Sequence, residues 1–152
     1  SPKYIMKIVS LFIDVNRCFY MTTKIHQFTI EGEPASKANS RKIVTIRGKP
    51  VSIKSDKARK YVTSFSHQCK KLDELFEGDV SVEILIYYAS RRPDLDESLI
   101  LDCMQGNVFI NDRQVKQKHI HWELDRDRPR AVIRVSTLET GSIPSYLRCV
   151  SE

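Results

Sequence analysis

Val80, Val82, Ile84, Ile86 and Tyr88 alternate with Ser81, Glu83, Leu85 and Tyr87, a period that an extended strand satisfies and a helix does not. The second face also carries apolar groups, Leu85 and Tyr87, so the spacing predicts a strand in the interior of a sheet. Just upstream the period changes. Ala58, Tyr61, Val62, Phe65, Cys69 and Leu72 recur at three- and four-residue steps, predicting an amphipathic helix that ends near Asp73. Ser55 or Asp56 is placed to cap its start, and Lys57, Lys60, Lys70 and Lys71 occupy its polar side.

Weaker signals fill in the order. His26 to Ile30 suits a first strand, followed by a Gly, Pro, Ser and Asn loop to Arg41. Ile43 to Ile46 and Val51 to Ile53 are brief strands around a turn at Gly48-Lys49-Pro50. Leu95, Leu99, Ile100, Cys103 and Met104 support a short helix closed by Gly106. Val108 to Ile110 is expected as a short strand. Lys118 to Leu124 and Ala131 to Ser136 are expected as strands joined by a hairpin turn at Asp125 to Arg130. The order predicts a single α+β domain, a mixed β-sheet with two main helices packed on one face. Residues 25–137 form the expected domain. Residues 1–24 are expected to be an N-terminal extension, poorly ordered or outside the core fold, with Met21 a plausible second start, and 138–152 a C-terminal tail.

Composition narrows the class. The 152 residues are 41% hydrophobic and 29% charged, close to globular averages, which excludes wholesale disorder. Charge is unevenly spread. Between Ser36 and Lys71 there are eleven basic residues and one acid, a net +10, leaving −4 for the rest of a chain whose total is +6. A basic block beside an acidic remainder is the footprint of a polyanion partner such as nucleic acid, although most charge runs are only solvated faces. Cys18, Cys69, Cys103 and Cys149 are scattered without a C-x-x-C pair, which predicts reduced thiols in a cytoplasmic protein. Asp14 and Arg17 break the one apolar run that resembles a signal peptide, and no run reaches the ~18 residues of a membrane span, so no membrane partner is expected.

Three acids could carry chemistry. Asp94 and Asp96 lie in Arg-Pro-Asp-Leu-Asp-Glu after the long strand, and Asp112 follows the next short one. In extended chain Asp94 and Asp96 point to one side, and Asp112 could fold back beside them. Carboxylates without His or Cys are hard oxygen donors, suited to Mg²⁺ or Mn²⁺ rather than Zn²⁺. Helix capping competes with this and by itself is the commoner role for Asp before a helix. Asp125-Arg126-Asp127-Arg128 repeats the D-x-D pattern with interleaved cations, where charge compensation suffices, and is rejected as a metal site. His119 and His121 share a strand face but lack a third zinc ligand. Trp122 is better explained by packing than by base stacking. A D-x-D glycosyltransferase is excluded by size and by the lack of a doubly wound nucleotide domain.

Five segments in order resemble RusA-type Holliday-junction resolvases, which are encoded largely by phages and prophages. They are Glu31-Gly32-Glu33-Pro34-Ala35-Ser36-Lys37-Ala38-Asn39-Ser40-Arg41, Ile53 to Tyr61, Arg92-Pro93-Asp94-Leu95-Asp96, Leu101 to Gly106, and Asn111-Asp112-Arg113-Gln114-Val115. The likeness spans about Ile25 to Ser136. It implies a homodimeric endonuclease cutting four-way DNA junctions with Mg²⁺, in recombination and repair, with Asp94, Asp96 and Asp112 as catalytic and metal-binding acids. The basic segment then grips backbone phosphates, and Lys37, Arg41, Lys42, Arg47, Lys49, Lys54, Lys57, Lys60, Arg91 and Arg92 are the expected DNA contacts. One departure stands out. Many members follow the second Asp with Asn and, a turn later, a functional Lys; here those positions are Glu97 and Ile100. Lys37, Arg91 and Arg92 are candidates to replace that cation. The departure also motivates an alternative, a junction-binding module of the same fold with weak or no catalysis.

Overall fold

The computed structural model describes residues 4–14, 17–91, 96–138 and 147, with side chains described from 23 onward. Its strands are β1 (Tyr4–Asp14), β2 (Arg17–Glu31), β3 (Arg41–Ile46), β4 (Lys49–Lys54), β5 (Val80–Tyr88), β6 (Val115–Leu124) and β7 (Arg130–Thr137). Two α-helices, α1 (Asp56–Gln68) and α2 (Ser98–Met104), and two 3₁₀ turns at Lys37–Asn39 and Asp112–Gln114 complete it. The main sheet runs β1-β2-β7-β5-β6, and β3 and β4 form a separate two-stranded ribbon.

The sheet is mixed, as the element order predicts: β5 pairs parallel with β6 and antiparallel with β7. Its alternating residues explain the layers. Val80, Val82, Ile84, Ile86 and Tyr88 of β5 are buried on the same side as Ala131, Ile133 and Val135 of β7 and Phe28 and Ile30 of β2. Ala58, Tyr61 and Phe65 of α1 and Leu99, Ile100 and Met104 of α2 close this face, so both helices pack on one side. On the other face Glu83 is exposed, and the Arg130 guanidinium covers the Tyr87 ring at 3.8 Å.

Four expectations change. First, α1 ends at Gln68 rather than near Asp73, because Cys69 turns extended (φ −99°, ψ 105°) after closing the last bond to Phe65 O. Leu72 is nonetheless buried: the chain beyond the helix bonds to the 107–109 segment, Leu72 N–H to Asn107 O (2.8 Å) and Phe76 N–H to Val108 O (2.9 Å). Periodicity reported burial there, not helix. Second, Val108 to Ile110 makes only isolated bridges from Phe109 to Phe76 and Gln105. Third, the Asp125–Arg130 connection is no hairpin, since β5 lies between β6 and β7. Fourth, the strand expected at His26 to Ile30 is the end of a fifteen-residue one, β2, whose first part pairs with β1 at the sheet edge.

Ser55 caps α1, its hydroxyl accepting from Ala58 N–H (3.2 Å), while Asp56 pairs with Lys42 (3.0 Å) and Arg59 (2.6 Å). Among the described residues no helix is long and apolar enough to cross a membrane.

Candidate active site

The acidic segment lies on the crossover from β5 to its parallel neighbour β6. A parallel pair needs such an excursion, and this one carries α2. Its start is clamped by Glu33, whose carboxylate accepts from Ala89 N–H just past β5 (2.8 Å) and pairs with Lys57 (3.6 Å). Asp94 and Arg92 lie outside the described residues.

Asp96 stands two residues before α2 and is 9% exposed. Oδ1 accepts from both Ser98 N–H (3.1 Å) and Ser98 Oγ–H (2.7 Å). This is an Asx turn, the local bonding by which Asp opens a helix. Capping accounts for Oδ1 alone. Oδ2 is buried and has no hydrogen-bond partner among the described residues. A buried carboxylate oxygen without a donor is costly unless something positive meets it.

The second D-x-D shows what a purely structural pair looks like. Asp125 Oδ1 accepts from Asp127 N–H and Arg128 N–H (both 3.2 Å), and Oδ2 accepts from Arg130 Nη1 (2.8 Å). The Arg130 hydrogen bond holds the Asp125 carboxyl below the usual range, and Arg128 does the same for Glu31. Asp125 has a partner for each oxygen; Asp96 does not.

Asp112 is exposed, in the 3₁₀ turn capped by Asn111, which also forms a reciprocal box with Gln114. Its N–H donates to Gln105 Oε1 (3.3 Å), the residue that ends α2. Gln114 Nε2 anchors the turn to Phe76 O (2.7 Å) and Gly78 O (2.8 Å), before β5 begins. Asp96 thus precedes the first turn of α2, and Asp112 is tied to its last. Among the described residues no three His, Cys, Asp or Glu side chains gather to hold a metal. Asp96 Oδ2 is buried without a donor, as an oxygen that could meet a hard cation would be, and Asp112 is exposed on the turn bonded to the end of α2.

Ser98, which holds Asp96, also lines an open hollow of about 350 Å³ with Lys37, Ser40, Arg41, Lys54, Leu99 and Asp102. Three of the expected DNA-contact cations therefore converge where Ser98 holds Asp96. Arg41 is fixed by bonds to Ser52 Oγ and O (both 3.0 Å). The other expected contacts are spread out. Arg47 and Lys49 sit at the ribbon tip, Lys60 on the exposed side of α1, and Arg91 is exposed after β5, whereas Lys42 and Lys57 are engaged by Asp56 and Glu33.

Three neighbours escaped sequence reading. Ser98 could have been found as the donor of a D-x-S turn. Asp102 lay inside a recognised segment without a role. Lys118, on β6, donates to Glu97 Oε1 (2.8 Å) and so pins the residue after Asp96 from 21 residues downstream, beyond any local pattern.

Cys103, on the helix that walls this hollow, is a free thiol whose burial pushes its pKa up to about 11 from 9.0, against the smaller opposing pull of Lys54. It stays protonated at neutral pH. Alkylation by iodoacetamide at pH 8 should run roughly 100-fold slower than at an ordinary cysteine, accelerating with pH until about 11. Mass spectrometry of pulse-labelled protein reads this; labelling at the free-cysteine rate would show that the helix does not shield the thiol.

The decisive comparison is with known families. The family model for endodeoxyribonuclease RusA matches residues 31–136, from the end of β2 through β7. The chain belongs to the RusA endodeoxyribonuclease family. The match contains Asp96, Asp112, the basic hollow and the ribbon, and it begins where β1 and most of β2 have already passed. No curated protein matches the chain.

Proposed function

We propose that this RusA-family protein is a Mg²⁺-dependent, structure-selective endodeoxyribonuclease that resolves four-way DNA junctions during recombination and repair. The observation that carries this is the Asp96 carboxylate, buried, with one oxygen held by Ser98 of a hollow lined by three cations and the other left without a donor. Asp94, Asp96 and Asp112 would hold Mg²⁺, with Mn²⁺ as a substitute. A bound divalent ion there supplies Lewis acidity toward a phosphodiester and lowers the pKa of its water.

The chain's own groups do the rest. Lys37, Arg41 and Lys54 draw a backbone phosphate into the hollow, and Ser98 holds Oδ1 of Asp96 with two hydrogen bonds, leaving Oδ2 without a donor. Positioning is by charge and shape, so base sequence is secondary. A twofold homodimer would present two such sites to the opposed strands of a junction. The reaction belongs to the cytoplasm of a bacterium or phage-infected host.

One observation favours the second reading, a junction-binding module with little catalysis. Ile100, where the family's Lys is expected, is wholly buried, so that position serves the core. The two readings separate in one assay. Full-length protein is incubated with a labelled four-way junction or a matched linear duplex, with Mg²⁺, Mn²⁺ or EDTA. Paired, metal-dependent nicks confined to the junction are expected. Binding without product under any metal selects the second reading, and equal cutting of the linear duplex removes junction selectivity.

A further inference from the structure

The β3–β4 ribbon bonds to no strand of the main sheet. It is fixed at its base, where Ser55 N–H donates to Ser40 O (2.9 Å) and Ser55 Oγ–H to Asn39 O (2.6 Å). One face carries Arg41, Ile43 and Thr45 opposite Lys54, Ser52 and Pro50. The base of that face, Arg41 and Lys54, is the wall of the hollow beside Ser98. The face therefore runs without interruption from the candidate active site to the tip, a reach of roughly 17 Å at ~3.4 Å per residue.

Along it the chemistry changes. Residues 41–54 hold five cations and no acid. On that face Ile43 is 76% exposed; Ile46, 51% exposed, sits at the tip on the opposite face with Lys42 and Val44, so the ribbon presents an isoleucine on either side. The tip is a two-residue turn with both φ positive, Arg47 at 51° and Gly48 at 77°, the primed geometry in which Asn or Gly normally replaces a long side chain. Charge complementarity makes the partner a polyanion. Phosphates give the isoleucines nothing to touch; the faces of unstacked bases do, and aliphatic wedges are how DNA-bending proteins use them.

We infer that the ribbon enters the branch point of a bound four-way junction, its cations on the flanking phosphates and Ile43 and Ile46 against bases unstacked there. This rests on the junction-binding reading above. At ~3.4 Å per nucleotide along a strand, the bases touched by Ile43 lie about two nucleotides from the phosphate in the hollow, and those touched by Ile46 about five.

The test uses the full-length protein and junctions carrying 2-aminopurine either at the branch point or far out on an arm, in EDTA to prevent cutting, with anisotropy measured in parallel. Wild type should brighten the branch-point probe on binding and leave the distal one silent. Ile43→Thr/Ile46→Thr keeps β-branching at exposed positions, so it folds, checked by an unchanged melting temperature; it should bind while losing most of the brightening. Arg47→Gly suits the positive φ and should lower the salt slope of binding by about one unit. Equal brightening in the double variant overturns the inference. So does wild-type binding without brightening, which leaves junction binding itself standing. Failure of wild type to bind the junction overturns both readings.

Discussion

Asp96→Asn should abolish junction cleavage, with a fall of at least ~10³-fold in rate, about 4 kcal/mol of transition-state stabilisation. The substitution is clean for a structural reason. Asn keeps Oδ1 to accept from Ser98 N–H and Oγ–H, so the turn into α2 survives. What it replaces is Oδ2, the atom without a donor, by an amide nitrogen that cannot ligate a cation. Junction affinity in EDTA should stay within about threefold of wild type, since no contact of the basic segment is touched. A second readout is independent of turnover: Mg²⁺ should raise the melting temperature of wild type, and do so much less in Asp96→Asn. Undiminished nicking, or an equal Mg²⁺ shift, removes Asp96 from the site. Asp96→Ala should additionally lose the turn and about 1 kcal/mol of stability.

Ionic strength should be the other large lever. Among the described residues Lys37, Arg41, Arg47, Lys49, Lys54 and Lys60 belong to the basic block and have no acid within ion-pair distance, unlike Lys42, Lys57 and Arg59. Six phosphate contacts imply a slope near −5 in log K against log salt, so junction affinity should fall by ~10³-fold between 50 and 200 mM. Removing the three cations of the hollow, as Lys37→Ala/Arg41→Ala/Lys54→Ala, should flatten the slope by about three units and weaken linear duplex binding alike. A flat response in wild type would contradict nuclease and binding module together.

How legible this was depended on the range of the forces involved. The β5 strand, α1 and its Ser55 cap are written locally, because alternation and 3.6-residue spacing express burial directly. The same signal misled at Leu72, which is buried where the chain after the helix bonds to the 107–109 segment, Leu72 to Asn107 and Phe76 to Val108, rather than by a continuing helix. Nothing local places β5 between β6 and β7; sheet order is set by which faces must be covered, and Asp125–Arg130 has turn chemistry whichever strands it joins. At the site, D-x-D was visible but ambiguous. Only the donors around each oxygen separate Asp96 from Asp125, and those come from Ser98 alone in one case and from Asp127, Arg128 and Arg130 in the other.

The parallel pairing of β5 with β6 has a further consequence, for the order in which the molecule becomes able to act. β6 cannot take its place until the chain between Tyr88 and Val115 has gone out and returned, and that stretch holds the three proposed metal-binding acids. Lys118 of β6 then meets Glu97, and Gln114 at its threshold locks onto Phe76 and Gly78. Docking of β6 at the edge of the sheet and fixing of the segments around Asp96 and Asp112 are therefore coupled, and a chain still emerging from synthesis lacks the contacts of Lys118 and Gln114 until that strand docks.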